Sequence, residues 1–161
     1  MKHHKSVMHS PGMILGQIAL AKSNLISVDE FRILYESDST MNVIADIYEE
    51  YEEQKKQRQL MDFSDLLTET YHILSYREDV RERYQNTYRH ILVDEFQDVT
   101  PVQMSILKLL ADNPEKDDSS FWVCGDDHQS IYGFAGASVG NILNFKTMFP
   151  LSEQFILDLN F

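Results

Sequence analysis

The stretch HILVDEFQDVTPVQ, residues 90–103, contains the clearest strand and helix signals of this chain. It opens with a short apolar run of the kind found in buried strands, and this run leads directly into Asp94 and Glu95. Burying an unpaired charge costs several kcal/mol, so these carboxylates must reach solvent, a cation or a reacting group. The sequence therefore predicts a buried strand whose carboxyl end, at Asp94 and Glu95, is open to solvent or to a ligand.

A second short apolar run, FWVCGD at residues 121–126, also ends in acidic residues. Between the two runs lie a helix start, with Thr100 as N-cap and Pro101 at the first helical position, and a turn-rich segment at 112–120. Strand, helix and strand at this spacing predict a βαβ crossover, and hence a parallel sheet buried on both faces. EQFILDLNF, residues 153–161, is predicted to be a third strand.

The preceding part of the chain, from residue 13 to about 90, has helical patterns. Ser27 and Glu30 form a capping-box pattern that opens a helix toward Glu36. Residues 1–12 are predicted to be a flexible lead-in. Apolar stripes at helical spacing comprise Ile44, Ile47, Tyr48 and Tyr51, then Phe63, Leu66, Leu67 and Leu74, and finally Val80, Tyr84 and Tyr88.

The bulk composition describes an ordinary globular chain of about one domain, with 43% hydrophobic and 25% charged residues. No apolar run approaches the roughly 18 residues of a membrane span. The single cysteine, Cys124, rules out an internal disulfide framework, fits a cytoplasmic location and is predicted to lie in the core. The net charge of −12 predicts that this chain alone binds DNA weakly.

Both acidic strand ends belong to the edge of a parallel sheet at which ligands bind. Asp94 and Glu95 follow the first strand, and Gly125–Asp126–Asp127 follow the second. Side by side they would suit a divalent cation and a phosphate chain, with Asp94 holding the metal or its water and Glu95 taking a proton from an attacking water. Plain surface acidity is the alternative explanation of this pattern.

Two longer motifs carry a family resemblance. ILVDEFQD at 91–98, followed by VCGDDHQSIYGFAGAS at 123–138, resembles motifs II and III of the superfamily 1 DNA helicases of the UvrD/Rep/PcrA type. MDFSDLL at 61–67 resembles the stretch before motif II in that family, and LDLNF at 157–161 resembles the start of motif IV. The resemblance covers residues 13–161.

This resemblance implies an α/β fold, a partial RecA-like parallel sheet of the P-loop NTPase type with a preceding helical segment. Residues 13–60 would correspond to the end of subdomain 1B, and residues 61–161 to part of motor domain 1A. The pattern G-x-x-x-x-G-K-[ST] occurs nowhere in the chain, so the P-loop strand is absent. Phe134–Ala135–Gly136–Ala137 stands where the family usually has Trp-Arg-Gly-Ala.

The resemblance also assigns residues to an ATP site. Asp94 would hold the Mg²⁺ of bound ATP, and Glu95 would orient and activate the attacking water. Gln129 would sense the γ-phosphate, with Asp126 in the same nucleotide site. Phe161 stands where the family usually stacks an aromatic ring on the adenine.

On the DNA side, the resemblance implies that Tyr132 and Phe134 border a track for single-stranded DNA, where aromatic rings stack on bases. Gln97 and Asp98 would belong to the polar network that couples this track to the ATP site. The chain would thus be a fragment of an ATP-dependent DNA helicase that moves 3′ to 5′ on single-stranded and duplex DNA. Without its P-loop it is expected to be inactive alone.

Two other functions stay open. The first is a non-catalytic module that binds a protein partner through its helices, and the second is a nucleotide-binding enzyme with a different phosphate loop. The missing central strand has a structural consequence as well, because it would leave an unpaired apolar edge on the second strand. We expect QFILDL, residues 154–159, to occupy that edge, or two copies of the chain to pair there.

Overall fold

The computed structural model describes residues 10–111, 118–126, 128–129 and 140–157. None of the helices in this part of the chain is long and apolar enough to cross a membrane. In chain order the elements are α1 (Pro11–Ser23), α2 (Val28–Leu34), α3 (Ser39–Arg58), α4 (Phe63–Tyr76), α5 (Glu78–Thr87), β1 (His90–Val93), a 3₁₀ turn (Phe96–Asp98), α6 (Pro101–Ala111), β2 (Ser120–Val123), α7 (Gly140–Leu143) and α8 (Phe145–Met148).

Local capping chemistry explains where several helices begin. The capping box predicted for α2 is present, since the Glu30 amide donates to Ser27 and the Glu30 carboxylate accepts from the Ser27 amide. At α6, Gln103 accepts from the Thr100 backbone amide at 2.8 Å, which confirms the predicted start of the crossover helix. Helix α1 already begins at Pro11, so the prediction of a flexible lead-in over residues 1–12 is wrong at residues 11 and 12, and residues 1–9 lie outside the described residues.

The first hydrophobic core joins α1, α2 and α3. The stripe predicted on α3 is confirmed at Ile44 and Tyr48, which are buried, but not at Ile47, which is exposed. The Phe31 ring meets the Tyr48 ring edge-on at 6.2 Å between centroids. Helix α1 also contacts α4 and α6, so it links this core to the rest of the described chain. The core consists of Ile18, Ala21, Phe31, Ile44, Ala45 and Tyr48.

The stripe predicted on α4 is only partly buried. Leu74 is buried, but Phe63 is 90% exposed and Leu66 is more than half exposed. The half-buried positions of α4 include Ser64, Leu67, Thr68 and Tyr71. Phe63 and Leu66 each precede a half-buried position by one residue, about 100° around the helix, and so lie to the side of the buried face. Phe63 lines an open groove between α1, α4 and the start of α6, where its ring stays largely exposed.

Strands β1 and β2 pair in parallel, as the crossover pattern predicts, with Ile91 opposite Phe121 and Val93 opposite Val123. One face of this sheet packs on the second core, which contains Phe96, Val99 and Met104 and is flanked by α7 and α8. The prediction that both faces are buried is wrong for the described residues. The register partners Leu92 and Trp122 lie on the other face and are 76% and 58% exposed.

Cys124 is exposed, contrary to the prediction of a core position. Side chains alternate between the faces of a strand, and Cys124 comes two residues after exposed Trp122, so it follows Trp122 to the open side.

The expected third strand is not formed by residues 152–157, which are irregular, so QFILDL does not fill the edge of β2 over its described part. Phe149 explains the path of this segment, because its ring packs 5.4 Å from the ring of Phe121 on the sheet face. Pro150 follows and has no N–H to donate to a ladder. The last residues of the predicted strand, 158–161, lie outside the described residues.

Candidate functional site

The carboxyl ends of β1 and β2 are held together beyond the strands themselves. The Cys124 amide donates to the Val93 carbonyl at 2.8 Å, and the Phe96 amide donates back to the Cys124 carbonyl at 2.9 Å. The ladder of backbone hydrogen bonds between the two strands therefore extends past their ends, to Phe96 and Cys124. As a result, the residues after β1 lie against the residues after β2, at the edge where the sequence predicts a site.

Glu95 occupies a sharp turn at this edge. Its backbone is left-handed, with φ 50° and ψ 43°, a conformation that is uncommon for a residue with a side chain. The Asp94 carboxylate accepts a hydrogen bond from the Glu95 amide at 2.9 Å and supports the turn. Both side chains are exposed, and neither forms an ion pair with another described residue. Asp94 therefore remains available as a metal ligand.

Gln97 lies beneath these carboxylates and is only 1% exposed. Its Nε2 donates to Oε2 of Glu95 at 2.5 Å, while its Oε1 accepts from the Asp126 amide at 3.0 Å. One buried side chain thus joins the residue after β1 to the loop after β2.

Asp126 extends this connection to Gln129. The Asp126 carboxylate accepts from the His128 amide at 2.9 Å and from the Gln129 side chain at 2.8 Å. The hydrogen bond from His128, followed by the one from Gln129, holds the pKa of Asp126 below its ordinary value. A continuous chain of hydrogen bonds therefore runs from Glu95 through Gln97 and Asp126 to Gln129.

Other predicted site residues stand apart from this chain. Asp98 contributes no side-chain hydrogen bond within the described ranges, and its buried Oδ1 has no partner there. Tyr132, Phe134 and Phe161 lie outside the described residues, so their predicted roles stay predictions.

A buried ionic cluster, which was not among the predicted sites, joins α1, α3 and α4. Lys22 and Lys55 are both almost fully buried, and each contacts the same three carboxylates. The Lys55 ammonium lies 2.7 Å from Asp65, 2.8 Å from Glu52 and 2.9 Å from Asp62. Lys22 also contacts Asp65, and it lies 2.9 Å from Asp62 and 3.1 Å from Glu52.

The ammonium groups and the carboxylates of this cluster stabilise each other in their charged forms. Burial alone would raise the pKa of Asp62 and of Asp65, but hydrogen bonds from Lys22 and Lys55 hold both below their ordinary value. Burial would likewise lower the pKa of Lys55, yet hydrogen bonds to its carboxylate partners raise it. Glu52, Asp62 and Asp65 converge closely enough to hold a metal ion, but the two ammonium groups already balance two of their three negative charges.

Part of this cluster has a local sequence signal. Asp62 and Asp65 form a reciprocal capping box at the start of α4, and such a pair is recognisable from its spacing. The participation of Lys22, forty residues earlier, has no local signal.

Comparison with known proteins identifies the family. The model for "UvrD/REP helicase N-terminal domain" matches residues 3–150, most of the chain. The chain belongs to the UvrD/Rep helicase family. This membership agrees with the motif resemblance at 91–98 and 123–138 and with the parallel strand pair that those motifs follow.

Several curated members of the UvrD/Rep family are similar to this chain. A putative ATP-dependent DNA helicase YjcD of Bacillus subtilis is 40% identical over 115 residues, which cover 71% of this chain and 15% of the relative. The ATP-dependent DNA helicase PcrA of Leuconostoc citreum is 33% identical over 153 residues, covering 95% of this chain and 20% of the relative. PcrA of Staphylococcus aureus is 32% identical over 151 residues, with 94% and 20% covered. The chain therefore spans a fifth or less of these relatives.

Proposed function

We propose that this chain is part of an ATP-dependent DNA helicase and contributes the carboxylates that act on ATP. The observation that carries the proposal is the hydrogen-bonded chain from Glu95 to Gln129 across the ends of two parallel strands. Family membership supports it, since the similar proteins are named as ATP-dependent DNA helicases. The sheet would be part of a RecA-like motor domain 1A beginning near residue 61, with residues 13–60 as the end of subdomain 1B.

Asp94 and Glu95 divide the chemistry between them. Asp94 is an exposed carboxylate free of ion pairs with other described residues, which suits a ligand of Mg²⁺. Mg²⁺, when bound with ATP, would neutralise charge on the phosphate oxygens. Glu95 would accept the proton of the attacking water. Among the described residues its Oε2 accepts from Gln97, whereas its Oε1 accepts no hydrogen bond and would be the oxygen that takes the proton.

Gln129 would relay the state of the nucleotide toward the DNA. It is held by Asp126 at one end of the hydrogen-bonded chain and precedes Tyr132 and Phe134 by a few residues. Those two rings would stack on single-stranded DNA, and Phe161 would stack on the adenine. We propose 3′-to-5′ translocation and a cytoplasmic location for the whole protein.

The 161 residues by themselves should have little of this activity. They contain no G-x-x-x-x-G-K-[ST] to surround the phosphates, and positioning supplies most of phosphoryl-transfer catalysis. Their net charge of −12 also gives little counterion release on DNA. We therefore propose that the isolated chain hydrolyses ATP no faster than its Glu95→Gln variant and binds labelled single-stranded DNA only above micromolar concentration at near-physiological salt.

The proposal is tested in the complete helicase polypeptide by measuring DNA-stimulated ATP hydrolysis. Glu95→Gln should lower kcat by roughly a hundredfold or more, because a general base contributes on the order of 10²–10⁴ in rate. Glu53→Gln, at an exposed position on α3, removes the same charge and should leave kcat unchanged. Equal turnover by Glu95→Gln and Glu53→Gln would refute the catalytic assignment.

A non-catalytic interaction module is the second candidate, and the open face of the sheet favours it. Leu92 and Trp122 form an exposed apolar pair there, and among the described strands β2 pairs with β1 alone. Such a surface could pair or pack with another chain, including a second copy. Sedimentation of the purified chain over a range of concentrations tests self-association. A module of this kind would be indifferent to Glu95→Gln.

A further inference from the structure

Gln97 is the buried member of the hydrogen-bonded chain at the strand ends. A buried amide must satisfy both its N–H₂ and its carbonyl, and Gln97 does so by reaching Glu95 on one side and Asp126 on the other. The two partners follow different strands, and they are separated by the whole crossover. Gln97 therefore contacts both the turn after β1 and the loop after β2, two segments that meet only in the folded protein.

The orientation of this amide follows from its partners. The Asp126 backbone N–H is a donor only, so it requires the carbonyl oxygen of Gln97. The amide nitrogen must then face Glu95, and an ionised carboxylate only accepts. With its nitrogen fixed in this way, Gln97 fixes one oxygen of Glu95 and leaves the other free.

Close packing at Gly125 supports the same arrangement. A Cβ placed on Gly125 would lie 2.5 Å from Oε1 of Gln97 and 3.1 Å from the Phe96 amide. An added methyl group would therefore displace the Gln97 oxygen that accepts from Asp126 and press on the neighbouring backbone amides, so glycine favours the close approach of the loop after β2 to Gln97. The shape of the site thus depends on both residues.

We infer that Gln97 is a positioning residue for Glu95, and that Gly125 allows the close approach of the loop after β2 on which this position of Gln97 depends. This inference rests on the proposed hydrolytic function of Glu95. Glu95 carries a left-handed backbone in a short turn, so its side chain needs an external constraint to point one oxygen at a water. Gln97 supplies that constraint from a buried and therefore well-ordered position.

Enzyme kinetics of the complete helicase polypeptide provide the first test. Gln97→Met preserves the length of the side chain but removes both polar groups, and it should lower kcat for DNA-stimulated ATP hydrolysis by about 10–100-fold. The KM for ATP should stay within about twofold, because Gln97 acts on Glu95 and not on bound nucleotide. Gly125→Ala keeps glutamine at position 97 but should displace its side chain, so it should lower kcat by a similar factor. Because both substitutions remove the same contact, the double variant should be no slower than the slower single variant.

The matched control is Gln54→Met. Gln54 also donates to a carboxylate, Glu50, at 2.7 Å, but it does so on the exposed face of α3. Its replacement should change neither kcat nor KM. If Gln97→Met retains kcat within about twofold while Glu95→Gln abolishes turnover, the positioning role is wrong and the proposed function stands. If Glu95→Gln has no effect, the proposed function fails and the positioning role fails with it.

The bridge itself is tested in the 161-residue chain by NMR of side-chain amides. The Gln97 N–H₂ signals should exchange slowly with solvent and should shift in Glu95→Ala and in Gly125→Ala. The Gln54 signals should exchange rapidly and stay in place in both variants. Rapid exchange of the Gln97 amide, or signals unaffected by both substitutions, would show that the bridge does not form.

Discussion

The ionic cluster under α1, α3 and α4 makes a quantitative prediction about stability. Lys55→Met keeps most of the side-chain volume but removes one of two ammonium groups, so the formal charge of the cluster changes from −1 to −2. Lys55 is 8% exposed, and three carboxylates that it contacted would lose a partner within 3 Å. The remaining carboxylates would then repel one another in a poorly solvated space.

The size of the effect follows from burial. Removing one partner of a buried ion pair typically costs roughly 3–5 kcal/mol. The side chains of Glu52 and Asp62 are 34% and 25% exposed, so water can partly replace the lost ammonium. We therefore expect the lower end, about 3 kcal/mol, which is a large share of the ~5–15 kcal/mol by which domains are stable.

Urea unfolding at pH 7, followed by far-ultraviolet circular dichroism, measures this loss as the change in the free energy of unfolding. The matched control is Lys56→Met, the next residue on α3, which is exposed and should cost less than about 0.5 kcal/mol. Equal destabilisation by the two substitutions would refute the argument, because the buried cluster would then contribute no more than an exposed lysine.

Three further outcomes are expected. Folded-state pKa values of Asp62 and Asp65 lie below the ordinary 3.8, so the stability that they contribute is complete at about pH 5 and is lost as pH falls through 3.8 toward the folded-state values. The urea midpoint should therefore drop as the pH is lowered from about 5 to below 3. Asp62→Asn, which should already be less stable at pH 5, should show a smaller drop. Phe96→Ala should cost about 3–5 kcal/mol of unfolding free energy, because the ring is fully buried, whereas exposed Phe155→Ala should be nearly neutral; similar losses would contradict the assignment of the second core. Thr100→Ala should cost about 1 kcal/mol through loss of the cap of α6, and an unchanged urea midpoint would argue against that cap.

Local sequence patterns determined most of the secondary structure. The capping boxes at Ser27 and Thr100 are contained within four residues each, and their partners are present in the structure. The burial of Ile44 and Tyr48 follows from helical periodicity, and the parallel pairing of β1 with β2 follows from the crossover between them. These features depend on backbone preference and on side chains a few residues apart, so a sequence can specify them without knowledge of the remaining chain.

Predictions about burial failed where more distant parts of the chain decide the outcome. An apolar strand such as SFWV has side chains suited to burial on both faces, but its sequence does not show which face another part of the chain packs against. Phe145 and Phe149 cover the side of Phe121, while Trp122 on the opposite side stays open. Competition among apolar segments for the same face is settled by packing, not by the composition of one strand.

The same distinction between local and long-range features applies to the candidate site. That Asp94 and Glu95 end a strand, and that Asp126 and Gln129 follow another, could be predicted from local sequence patterns alone. Only the tertiary structure decided that Gln97 is buried between them and that Lys22 meets Asp62 across three helices. Hydrogen bonds and ion pairs act over about 3 Å, whereas these residues are tens of positions apart in sequence, so their partners exist only once the helices and strands have packed.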